Sequence, residues 1–176
     1  MPDGRSVASL DRGALADALG HPVATLDEVV ARWPDRIWNI ELKDAAAADA
    51  TVEVLSEATL AGVLVTSFLH DVAHRVGDAA GVPFGYLVGH RPLDFVGLAR
   101  RSVEEGARAV VLHGEHLDPR VVSTAGEAGL AIWVYGLLTP PEFAWAVELG
   151  VVAIIADDVA AALAAARSNE NGRAPG

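Results

Sequence analysis

Asn39, Glu41 and Lys43 are spaced two residues apart in the stretch Trp38-Asn39-Ile40-Glu41-Leu42-Lys43-Asp44. A strand turns successive side chains to opposite faces, so these three share one face, while Trp38, Ile40 and Leu42 share the other and read as packing. A carboxylate and an ammonium pointing the same way at a strand's end can hold a metal and a phosphate. They can equally be a surface ion pair at a strand terminus. Context favours the first reading: the chain that follows reads as repeated strand–helix units, and in barrels of that kind the carboxyl ends of the strands carry the site.

Other residues with chemical potential are scattered. His113 ends the apolar run Val110-Val111-Leu112-His113 and either points into the same mouth as a site residue or hydrogen-bonds a neighbouring loop. His116 follows in that loop, where a His-x-x-His pair with only Glu115 beside it makes a sparse metal pattern. His70 and His74 are spaced for one helix face and His90 falls in a loop, so all three read as surface residues. Asp157, at the end of the last apolar segment, reads as a site carboxylate or, in preference, as the N-cap of the final helix. Phe68 and Tyr135 also stand at strand ends, where they either line the mouth or pack beneath the loops.

Composition bounds the partners. The net charge of −11 and the isoelectric point near 4.8 argue against nucleic acid, whose phosphates require a basic face, and against an anionic membrane surface. Metal ions and small substrates remain. The chain has no cysteine, which excludes disulfides and thiolate metal sites. No basic-then-apolar leader opens it and no apolar run reaches membrane-spanning length, so the reading is a soluble, cytoplasmic protein. With 176 residues, 52% of them hydrophobic, it reads as one globular domain able to bury roughly 70% of its unfolded surface.

The positioning elements follow from the apolar pattern. Short apolar runs at 37–42, 62–68, 83–88, 109–113, 131–135 and 151–156 read as buried parallel strands. Segments 45–60, 71–80, 92–105, 119–129, 140–150 and 160–167 between and after them read as helices. Upstream, Met1-Pro2-Asp3-Gly4-Arg5 reads as a turn and 10–19 as a short helix or loop. Thr25-Leu26-Asp27-Glu28 is a capping box, and the helix it starts ends near Trp33 because Pro34 follows. The sum is an α/β fold: a partial (β/α) barrel of about six parallel strands with outer helices, a single domain over 1–167, and a flexible tail over 168–176.

Taken in order, the motifs resemble the glycerophosphodiester phosphodiesterase family. Val23-Ala24-Thr25-Leu26-Asp27-Glu28-Val29 is similar to its Pro-Thr-Leu-Glu-Glu-Val lead-in, and Asn39-Ile40-Glu41-Leu42-Lys43 to its Asn-Ile-Glu-x-Lys strand. Thr66-Ser67-Phe68 resembles its Ser-Phe strand end. Val134-Tyr135-Gly136-Leu137-Leu138-Thr139-Pro140 falls where Trp-Thr-Val-Asn precedes a helix start. Gly150-Val151-Val152-Ala153-Ile154-Ile155-Ala156-Asp157 resembles Gly-Val-Asp-Gly-Ile-Ile-Thr-Asp. Tyr135, Leu138, Val152 and Ala156 depart from the usual residues.

The resemblance implies an eight-stranded barrel of which this chain supplies strands three to eight. It also implies metal-dependent cleavage of glycerophosphodiesters to an alcohol and glycerol 3-phosphate. Glu41 is then a ligand of a divalent ion, magnesium or calcium, and Lys43 a phosphate contact. Beyond what the resemblance carries over, Phe68, Tyr135 and His113, if they line the mouth, would meet the small-molecule substrate. The family's His-Arg-Gly, Glu-x-Asp and His-Asp motifs have no counterpart in the sequence, so the expectation is an incomplete site, weak metal binding, and a chain that starts late. Losing two strands would leave a gap of roughly 14 Å and two open sheet edges that invite self-association. Two other readings stay open: a non-catalytic remnant acting as a binding or assembly module, and an unrelated barrel enzyme with Lys43 as a Schiff-base amine.

Overall fold

The computed structural model describes residues 7–172, so the expected turn over 1–5 lies outside the described residues. Two helices lead in: α1 (Arg12–Leu19), capped by Asp11, and α2 (Leu26–Arg32), opened by the Thr25–Glu28 capping box that the sequence indicates. Arg12 joins them, its guanidinium reaching the Glu28 carboxylate at 2.7 and 2.9 Å and the Val23 carbonyl at 2.7 Å. Strand β1 (Ile37–Glu41) follows, then α3 (Ala48–Glu57), β2 (Gly62–Ser67), α4 (His70–Ala80), β3 (Phe84–Val88) and α5 (Phe95–Glu104). The second half runs β4 (Ala109–His113), α6 (Pro119–Glu127), β5 (Ala131–Tyr135), α7 (Pro140–Leu149), β6 (Ala153–Ile155) and α8 (Val159–Gly172). No helix among the described residues is long and apolar enough to cross a membrane.

The strands lie side by side in chain order and every neighbouring pair is parallel. Each crossover carries a helix, as parallel neighbours require. Side chains show how far the sheet curls. Phe68 follows β2 and Tyr135 ends β5, three strand spacings apart, about 14 Å in a flat sheet. Their ring centroids are 6.3 Å apart, and the Tyr135 hydroxyl donates to the Val88 carbonyl of β3 at 3.0 Å. The six strands therefore form a half-barrel, the partial (β/α) barrel expected from the apolar pattern.

Alternation along the strands separates two layers. Ile40, Leu42, Val65, Tyr86, Val110, Leu112, Ile132 and Val134 pack outward against the helices in two apolar clusters, one centred on β1–β3 and one on β4–β6. Residues paired in register share the opposite, inward face: Glu41 with Thr66, Val111 with Trp133, His113 with Tyr135. This is the placement expected for Glu41. Trp38 lies on the packing side, its ring 6.4 Å from Trp33 and its indole N–H bonded to the Trp33 carbonyl.

Several boundaries differ from the sequence reading, for local reasons. The segment from Ala45 opens as a 3-10 turn capped by Asp44, and α3 proper begins at Ala48. Helix α5 starts at Phe95 because Asp94, not the region of Pro92, caps it by accepting from the Gly97 N–H at 3.1 Å. The last helix starts one residue earlier than expected, so its cap is Asp158, accepting from the Ala161 N–H at 2.9 Å, and Asp157 is left exposed. That helix also runs into the segment expected as a tail, as far as Gly172.

One glycine sets the spacing of β3 and β4. A Cβ on Gly85, in the inward layer, would stand 2.8 Å from the Ala109 carbonyl oxygen and 3.2 Å from the Ala109 Cβ, and strand backbone cannot yield easily. Gly85→Ala is expected to destabilise the fold by about 1–3 kcal/mol through this overpacking. A lower urea midpoint at unchanged slope would register it; an unchanged midpoint would mean that β3 and β4 separate freely.

Candidate active-site mouth

The carboxyl end of β1 is fixed by β2. The Leu42 N–H donates to the Thr66 carbonyl at 2.8 Å, and the buried Ser67 hydroxyl donates to the Leu42 carbonyl at 2.6 Å. Ser67 Oγ also accepts from the Leu69 N–H at 3.0 Å, so both loops hang on one hydroxyl. Thr66 donates to Asn39 Oδ1 at 3.0 Å, which uses Asn39 as a strut between the strands. With Leu42 held on both sides, Glu41 and Lys43 project into the mouth, and Lys43 Nζ meets Glu41 Oε1 at 2.9 Å. The glutamate is 28% exposed and the lysine 79%, so the ammonium is the water-facing partner.

Phe68 and Tyr135 meet edge to face and form the wall next to this pair. Tyr135's hydroxyl is already spent on Val88, so it offers a ring, not a free donor. Burial raises its phenol pKa above the ordinary value, and the negative charges of Glu41 and Glu115 push the same way. Tyr135 thus stays neutral, between one carboxylate on each side of the mouth.

The far side is built from histidines. His113 ends β4 with its ring 5.2 Å from Tyr135 and 3.9 Å from His90. Its Nδ1 accepts from the Glu115 N–H at 3.3 Å. Glu115's carboxylate reaches His90 Nδ1 at 3.1 Å, His116 Nε2 at 3.4 Å and His113 Nδ1 at 3.8 Å. The bond with His90, then the charges of the surrounding imidazoles, hold the Glu115 carboxyl below its ordinary pKa. His116 is only 16% exposed and its Nε2–H donates to the Gly89 carbonyl at 2.7 Å. His113 therefore stands on the inward face with Tyr135 and at the same time takes the hydrogen bond to the neighbouring loop that its other sequence reading describes.

His70 and His74 are not the surface residues their spacing suggests. His70 stacks on Tyr86 at 4.4 Å and donates to the Leu87 carbonyl, and His74 stacks on Phe84 at 5.1 Å. Both rings cover aromatic residues of the outer layer, a partnership that helix spacing alone does not show. The sequence reading also missed His90 as a partner of His113. The link is the parallel pairing of β3 with β4, which brings two distant loops together.

The donor sets decide what each side can hold. A hard divalent cation wants several oxygen ligands. Glu41 offers one carboxylate, already paired with Lys43, so the described residues do not complete a magnesium or calcium site there. Among the described residues, three potential ligands converge only at His90, His113 and Glu115, whose ligand atoms all lie within 4.8 Å of one another.

A parallel half-barrel wound in chain order, with polar groups gathered at the carboxyl ends of the strands, is the architecture of a (β/α)-barrel protein. Residues 7–161 match the Glycerophosphoryl diester phosphodiesterase family, and the chain belongs to that family. No curated protein sequence matches it. In fold it is similar to a glycerophosphodiester phosphodiesterase from Parabacteroides distasonis, with a TM-score of 0.70, 18% identity, and 85% of this chain and 66% of that one covered. A phosphodiesterase from Oleispira antarctica in complex with the product sn-glycerol-3-phosphate gives a TM-score of 0.67 and 22% identity, over 80% and 60% of the two chains. At such identities the likeness is one of fold, and a mandelate oxidase shares it at a TM-score of 0.56 and 17% identity, over 77% and 52%. The chain spans 50–69% of the length of the phosphodiesterase structures it resembles.

The loop after β5 secures His113. Gly136 has φ +75°, and a Cβ there would lie 2.4 Å from His113 Nε2, so only glycine admits the ring. Beyond it, the Leu138 and Thr139 N–H groups and the Thr139 hydroxyl all donate to Glu142 Oε2 at 2.8–3.0 Å. These bonds, the Leu138 N–H foremost, hold the Glu142 carboxyl below its ordinary 4.5. A folded pKa below the unfolded one gives stability that is present above the unfolded value and lost as pH falls through the folded one. Glu142→Gln should therefore flatten the loss of stability between about pH 5 and 3. Urea midpoints across that range test it, and parallel acid limbs for the two proteins would show the cap to be inert.

Proposed function

We propose that the chain carries the Glu41–Lys43 part of a centre that hydrolyses glycerophosphodiesters to an alcohol and glycerol 3-phosphate. The observation that supports this most is the position of that pair: inward, at the carboxyl end of β1, in a half-barrel of this family. Phosphodiester cleavage gathers negative charge on the phosphoryl oxygens, and positioned cations are what relieve it. Lys43 suits that task, since an ammonium is a compact charge with three donors on a flexible stem. Its contact with Glu41 tethers it beside the mouth at rest and leaves it free to turn to a phosphate.

Phe68 and Tyr135 would then take the less polar part of the substrate's alcohol group against their ring faces, and His113 would extend that wall. The expected magnesium or calcium ion would add charge neutralisation beside Glu41. Because Glu41 alone does not complete a site for it, Lys43 is the neutralising group that the described residues themselves supply. Turnover by the 176 residues alone is expected to be slow for the same reason, which makes product binding the more direct readout.

Calorimetric titration with sn-glycerol 3-phosphate at low salt should show binding that Lys43→Met weakens at least tenfold, about 1.4 kcal/mol. Release of glycerol 3-phosphate from glycerophosphodiesters in magnesium- or calcium-containing buffer should fall to background in Glu41→Ala. Unaltered binding in the lysine variant together with an unaltered rate in the glutamate variant would remove the pair from the site.

A further inference from the structure

We propose that His90, His113 and Glu115 form a binding site for a zinc-class divalent cation, separate from the Glu41 position and holding a different kind of ion. The donor chemistry is the first reason. Two imidazole nitrogens and one carboxylate suit zinc and its late transition-metal neighbours, whereas magnesium and calcium prefer all-oxygen shells.

Geometry is the second. With zinc–ligand bonds of about 2.0–2.2 Å, tetrahedral ligands stand about 3.3 Å from one another. Glu115 Oε1 to His90 Nδ1 is 3.1 Å and Glu115 Oε2 to His113 Nδ1 is 3.8 Å, and all three ligand atoms fall within 4.8 Å. Closing them onto one ion takes shifts of up to about 1.5 Å, which the exposed His90 and Glu115 side chains can make while His113 stays seated. It would cost the Glu115 N–H bond to His113 Nδ1, which at 3.3 Å is already long.

Preorganisation is the third. His113, 19% exposed, is seated against Gly136 and Tyr135. His116 ties the two ligand loops together by donating to the carbonyl of Gly89, the residue before His90. It is a positioning residue, since its Nε2 is occupied by that carbonyl, and it meets the Glu115 carboxylate from the side. Three protein ligands leave a fourth position open to water or an anion. With His90 68% and Glu115 42% exposed, the affinity should be moderate, about micromolar.

The test uses the metal alone on the full, chelator-stripped chain, so it is independent of any phosphodiester and of turnover. Equilibrium dialysis should find one zinc per chain, undisturbed by a large excess of magnesium or calcium. Cobalt substitution should give the intense visible bands of a four-coordinate site. His90→Ala and Glu115→Gln should each weaken binding at least tenfold, His116→Gln by less, and His21→Ala not at all. His90 is largely exposed, so its variant should melt like the parent in the absence of metal, which separates lost ligation from lost folding. Absence of stoichiometric zinc, or binding that survives both His90→Ala and Glu115→Gln, would overturn the site.

Discussion

The period-two alternation of side chains along six parallel strands, held in one register, is the constraint from which the rest of this molecule follows. Glu41 pairs with Thr66 and His113 with Tyr135, and each pair shares the inward face. A slip of a single residue would carry Glu41 and His113 into the helix layer and bring Leu42 and Leu112 into the mouth. That slip is blocked by the outward apolar set, because Val65, Val110, Leu112 and Val134 are all fully buried beneath the helices. The energy that fixes the site therefore comes from the opposite side of the sheet, where fully burying such a side chain contributes about 1.5–3 kcal/mol.

Charge then divides the mouth into two regions with different chemistry. The chain as a whole is strongly acidic, which disfavours an anionic substrate at long range. Lys43 answers this locally on one side, and the imidazoles round Glu115 gather potential cation ligands on the other. Between them stands Tyr135, kept neutral by burial and by the two flanking carboxylates and anchored through its hydroxyl to β3. Its ring separates the regions without contributing a charge of its own.

The sequence told most about elements whose residues are near neighbours in the chain. The Thr25–Glu28 capping box, the six strands and the inward direction of Glu41 were all readable because each depends on spacings of two to four residues. The sequence does not separate Asp157 from Asp158 as the cap of α8 because the two have the same chemistry, and only the position of the Ala161 N–H decides between them. His70 and His74 were misread because their partners, Tyr86 and Phe84, lie on another element. Of the His90–His113–Glu115 group, the sequence marks His113 and Glu115 as part of a sparse metal pattern but leaves out His90, for the same reason. A strand register brings the group together, and nothing in the sequence near His90 marks it.

A strongly shifted tyrosine and an open cleft both lie away from the mouth. Tyr86 has its phenol pKa raised chiefly by burial and then by Glu105, to which its hydroxyl donates. Yet Tyr86 belongs to the outward layer, where Arg101 pairs with Glu105 at 3.0 Å and lies over the Tyr86 ring. That arrangement satisfies a buried hydroxyl between β3 and α5 and leaves it no route to the inward face. A cleft of 530 Å³ opens beside α2 and α3, lined by Asp27, Glu53, Glu57 and Thr59 among apolar residues, on the side of Pro34 and Leu60, which precede β1 and β2, and so away from the carboxyl rim. The strand register brings Glu41, His113 and Tyr135 to the carboxyl rim on the inward face, and it turns Tyr86 into the helix-covered layer.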